Sequence, residues 1–71
     1  MKNMITTKDL GALNELMTFE HWMAVKLFHC SETISNSELK TTFKELAQVH
    51  IAHHEALLNY LEENAPEGGQ E

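Results

Sequence analysis

The sequence predicts an all-α fold, an antiparallel helical hairpin that pairs with a second copy of itself into a four-helix bundle. Three observations predict it. Apolar residues recur at alternating three- and four-residue spacings over two long stretches, the pattern of an amphipathic helix with one buried stripe. Each stretch opens on a capping sequence, and the few residues between them force the helices to run antiparallel. No stretch alternates with period two over a useful length, so no strand is expected. The 71 residues form one domain, 1–71, and a core of that size rarely supplies more than about 3–5 kcal/mol unaided. Cys30 is the only cysteine, so a disulfide within the chain is excluded. A metal, a second copy or both remain as sources of stability.

The first helix is expected from about Thr7 to Thr33. Met1 to Ile5 reads as a frayed start. Thr6 then serves as N-cap, with Asp9 three residues on completing a capping box. Leu10, Leu13, Met17, Glu20, Ala24, Leu27, Ser31 and Ile34 follow the helical rhythm, and Leu16, Met23, Phe28 and Cys30 broaden the stripe. Gly11 costs about 1 kcal/mol relative to alanine in such a helix, and nothing in the sequence explains it. Glu20 is the one charged residue in the stripe, where a carboxylate needs a cation, a donor or a metal.

Ser35, with Glu38 three residues on, reads as a second capping box. It places a tight connection around Ile34 to Asn36 and a second helix over about 36–64. Ala65 and Pro66 stop that helix, and 65–71 reads as a flexible, solvated tail. Leu39, Phe43, Leu46, Leu57 and Tyr60 mark the apolar stripe, and the 4-3-4-3 spacing between Leu46 and Leu57 falls on His50 and His53. Two imidazoles therefore stand where a helix pair expects leucine or isoleucine. Burying them without partners would cost a few kcal/mol.

In an antiparallel hairpin, residues equidistant from the turn lie at one height. Glu20 is 35 − 20 = 15 residues before Ser35 and His50 is 50 − 35 = 15 after it, each about 22 Å from the turn at about 1.5 Å per residue. Glu20, His50 and His53 are thus expected to form one polar layer between apolar ones. A carboxylate with two imidazoles is a ligand set for a divalent transition metal, zinc or iron foremost, and not for magnesium or calcium. The plainer alternative is a polar layer that only fixes helix register, with Glu20 accepting hydrogen bonds from the imidazoles.

With those residues in place, the chain resembles a half-length member of the ferritin-like superfamily. That superfamily sets a ligand Glu on one helix and Glu-x-x-His on the next, and pairs two hairpins into a bundle. Glu20, with aromatic Phe28 eight residues later, is similar to the first ligand. Leu39 to Ala47 followed by His50-x-x-His53 resembles a rubrerythrin-type second helix. The likeness is nearer still to short spore-coat proteins of the coat-F kind, through Thr7-Lys8-Asp9-Leu10, the lone Glu20 and Leu39-Lys40, and it covers about residues 5–62. The resemblance implies a metal-binding bundle, or a coat component that packs against other coat proteins, or a di-iron oxidase or ferroxidase. One departure bears on the last of these. His50 stands where the family has Glu, so two copies bring two Glu and four His instead of four Glu and two His. With half the bridging carboxylates gone, a binding or structural module is favoured over an enzyme. One metal per site, or one shared at the dimer axis, is then expected.

His21 and His54 adjoin the three residues and are candidates to orient them or to add ligands; partly exposed interface histidines are the alternative. His29 reads as surface, Cys30 as a small buried residue, Met4, Met17 and Met23 as core fillers, and Phe19 and Trp22 as interface anchors off the stripe, with ordinary packing at the hairpin edge as the alternative for Trp22. Leu16, Met23, Leu58 and Leu61 add a second apolar flank that two helices cannot cover alone, hence the expected homodimer. The net charge of −6 gives no basic stripe for nucleic acid. No run suits a signal peptide or a bilayer span, so a cytoplasmic protein, or one in the spore coat, is expected, without a membrane partner. No serine–histidine–aspartate arrangement, phosphate loop or paired-carboxylate hydrolase geometry is apparent.

Overall fold

The computed structural model of the protein describes residues 5–64. It holds two helices, α1 (Thr7–Thr33) and α2 (Ser37–Asn64), packed against each other as an antiparallel hairpin. The tail at 65–71, its Ala65-Pro66 stop, Met4 and most of the frayed start lie outside the described residues. None of the described helices is long and apolar enough to cross a membrane.

The start of α1 is fixed locally. Thr6 adopts extended backbone and its hydroxyl accepts the Asp9 N–H at 3.0 Å, while the Asp9 carboxylate accepts the Thr6 N–H at 3.2 Å. This reciprocal pair satisfies two of the donors a helix leaves unbonded at its first turn. The helix ends as Ile34 returns to extended backbone.

The second cap departs from expectation. Asn36, not Ser35, caps α2: its side-chain oxygen accepts the Leu39 N–H at 2.8 Å and its carbonyl accepts the Lys40 N–H at 2.9 Å. Ser35, Asn36 and Ser37 are all residues that cap well, and Asn36 prevails, so the helix begins at Ser37 and Glu38 falls in its first turn.

The helices meet on small side chains. Among the described residues only Ala24, Ser31 and Ala47 are buried. Ser31 keeps its hydroxyl satisfied by donating to the Phe28 carbonyl at 2.7 Å, so a polar side chain sits in the contact without an unpaired group. The stripe of α1 lies largely as its spacing predicts, with Leu13, Met17, Glu20, Leu27 and Ile34 half-buried around Ala24 and Ser31.

The stripe of α2 is rotated from the expected one. The residues turned toward α1 are Phe43, Ala47, His50, Ile51, His54, Leu57, Leu58 and Leu61. Leu39, Leu46 and Tyr60, expected in the contact, remain exposed, as does His53. Ala47 is the reason. The helices approach where both offer a methyl group, and a leucine at the same place would hold them apart. Leu10 is exposed as well, and Cys30 is half-buried rather than enclosed.

Steps of about 100° per residue sort the remaining apolar side chains onto two sides of the hairpin. Leu16, Phe19 and Met23 fall to one side of the α1 stripe, and Leu39, Leu46, His53 and Tyr60 to one side of the α2 stripe. Phe19 meets the His50 ring edge-on at 6.2 Å, which identifies these as the same side of the molecule. Trp22, Val25, His21 and Ile51 lie toward the other.

Candidate metal centre

Glu20 enters the centre from the middle of α1, and His50 and His53 enter from consecutive turns of α2. The matched height predicted from the turn is realised. Glu20 Oε1 accepts a hydrogen bond from His50 Nδ1 and a longer one from His53 Nδ1, at 3.4 Å. The two imidazoles stand nearly perpendicular, their centroids 5.8 Å apart. The Glu20 and His50 side chains keep only 13% and 20% of their surface, whereas His53 keeps 55%. The group is thus closed on the α1 side and open on the side that carries Phe19 and Leu46.

Hydrogen bonding from His50 holds the Glu20 carboxyl below its ordinary value of 4.5, aided by the His50 charge and by His53, while partial burial opposes the shift. The ionised carboxylate is therefore the form the fold favours. Both imidazoles direct Nδ1 at a single oxygen, so these nitrogens and that oxygen converge on one point.

One ligand atom from each of Glu20, His50 and His53 lies within 4.8 Å of the others. A tetrahedral ion with bonds of about 2.0–2.1 Å would set its ligand atoms roughly 3.3 Å apart. The 3.4 Å between His53 Nδ1 and Glu20 Oε1 matches that spacing, and the His50 contact would have to open. Imidazole nitrogen and a single carboxylate oxygen suit zinc, iron, copper or nickel. The arrangement offers three ligands and one open side, so a fourth must come from water or a second chain.

Compared with known proteins, the chain matches no family model, no curated protein and no solved structure. What the centre does is therefore read from its own residues.

His21 and His54 do not join the three. They stand together on the far side of the hairpin, centroids 6.5 Å apart, with Trp22 edge-on to His21 at 5.6 Å. Their pairing across the helices was not visible in the sequence, where each was seen only as the neighbour of a presumed ligand. Counted from Ser35, five residues separate their heights along the hairpin, and only the facing directions of the two side chains bring the rings together. His29 is exposed, as expected.

Proposed function

We propose that this protein is a small ferritin-like metal-binding module, in which Glu20, His50 and His53 hold a divalent transition metal, zinc or iron, inside a homodimeric four-helix bundle. The observation that carries this is the convergence of one carboxylate oxygen and two imidazole nitrogens at a height set by both helices. The half-length ferritin-like resemblance, with Glu20 and His50-x-x-His53 at the family's ligand positions, supports it. Replacement of the family's Glu by His50 weighs against di-iron oxidase or ferroxidase chemistry and toward binding without turnover.

The second copy follows from burial. A hairpin whose described interior consists of two alanines and a serine has buried none of its large side chains, whereas the hydrophobic contribution to stability comes chiefly from those. Leu16, Phe19, Leu39, Leu46 and Tyr60 remain exposed around the open side of the centre. The same patch on a second chain, related by a two-fold axis, would cover them and close the metal layer.

The test is elemental analysis and thermal shift on wild type, His53→Ala and Glu20→Ala, after incubation with zinc, ferrous iron, copper and nickel. Wild type should retain metal and melt higher with it, because the ion binds the folded bundle and not the separated chains. Each variant should lose most of the metal.

One observation favours a second role. Glu20 and His50 already satisfy each other without an ion, as a register-fixing layer in a coat-type structural component would require. Wild type that retains none of these metals, with both variants melting as it does, would establish that role instead. Oxidation of added ferrous iron in air, followed by absorbance, separates either from an enzyme.

A further inference from the structure

Two cavities of about 320 and 460 Å³ open on the side of the hairpin away from His53, and His21 and His54 line both. The imidazole pair is thus a ridge with open space on either flank. Trp22 packs edge-on against His21 and restricts that ring. The larger cavity is walled by Val25, Phe28, Ile51 and Leu58, and Glu55 also lines it. Glu20 lines it too, with its hydrogen bonds to His50 and His53 both ending on Oε1.

We propose that His21 and His54 form a second transition-metal site, on the opposite side of the hairpin from the first, with one imidazole from each helix and water in the remaining positions. Two imidazoles on one tetrahedral ion, with bonds of about 2.0–2.1 Å, place their ring centroids roughly 5 Å apart, and more as the angle opens. The 6.5 Å separation closes to that by side-chain rotation, chiefly of His54, since Trp22 packs on His21 and open space lies beside the His54 ring. Each imidazole comes from a different helix, so an ion between them ties α1 to α2. The nitrogen-rich ligation selects zinc, cobalt, nickel or copper over magnesium or calcium.

The experiment titrates cobalt(II) into the full chain and into two variants, following the histidine ring protons by NMR and the bound ion by calorimetry. In wild type, substoichiometric cobalt should broaden His21 and His54 as a pair. His50→Gln/His53→Gln should still bind one ion per chain, and adding His54→Gln should abolish it. Because His21 is exposed, His21→Gln serves as a second variant that leaves the helix contact untouched, and it should weaken binding in that background at least 10-fold. If His50→Gln/His53→Gln binds no cobalt while wild type binds it at His50 and His53, the second site is overturned and the first stands. If cobalt binds only at His21 and His54, the second site holds and the proposed function of the first fails.

Discussion

Leu46 offers the sharpest test of the assembly. It lies on the open side of the centre with 44% of its surface exposed. Full burial of a leucine side chain is worth about 1.5–3 kcal/mol. Covering the remaining fraction therefore adds roughly 0.7–1.3 kcal/mol, since the gain scales with area removed from water. A two-fold dimer counts that contribution twice, so Leu46→Ala should weaken association by roughly 10- to 70-fold at about 1.4 kcal/mol per tenfold. Val25, 42% exposed on the opposite side, is the matched control, and Val25→Ala should leave association unchanged. Sedimentation equilibrium from nanomolar to hundred-micromolar chain measures both. A wild type that stays an 8.1 kDa monomer at micromolar concentration would refute the dimer. A dimer weakened by Val25→Ala and indifferent to Leu46→Ala would refute the choice of face.

The remaining predictions concern the hairpin itself. A methyl group added at Gly11 meets nothing within 4 Å, so Gly11→Ala should stabilise by about 0.5–1 kcal/mol, read as a rise in melting temperature. Asn36→Ala should cost about 0.5–2 kcal/mol as a lost cap while Ser35→Ala stays near neutral; the opposite order in urea denaturation would restore Ser35 as the cap. Because the Glu20 carboxyl is held below 4.5 in the fold, its contribution is complete above that value and is lost as pH falls through the lower folded one. Metal-free melts from pH 7 to 3 should therefore show wild type and Glu20→Gln converging in the acid range, and a gap that widens there would contradict the hydrogen bonding described.

Features of the hairpin that depend on local chemistry were legible in the sequence. The Thr6–Asp9 capping box and the bounds of α1 are of this kind, because a cap is decided within four residues. The meeting of Glu20 with His50 and His53 was legible for a different reason: a short turn fixes the height of each residue, and counting recovers it. Where three capping residues stand in a row, spacing alone does not choose among them, and the sequence placed the second cap at Ser35. The face of α2 that meets α1 is not the one its largest apolar side chains mark, because side-chain size is not a measure of burial against the neighbouring helix. Leu39, Leu46 and Tyr60 carry the most apolar surface, yet Ala47 and Ala24 are where two backbones can come close. A periodic stripe of large residues shows that something covers them and does not say whether it is the neighbouring helix.

The three residues Ile34–Asn36 between the helices have a consequence for how this centre could vary. The layer has an address measured from the turn, the same number of residues along each arm. Inserting one residue in either arm between turn and layer would rotate a ligand by about 100° and move it by about 1.5 Å, which takes it out of the group. Inserting seven in both arms, close to two full turns, would lengthen the hairpin and restore the layer almost unchanged. Between turn and layer, chains of this design are therefore free to grow or shrink only in paired steps, and an unpaired length change there would separate Glu20 from its histidines without altering any of the three.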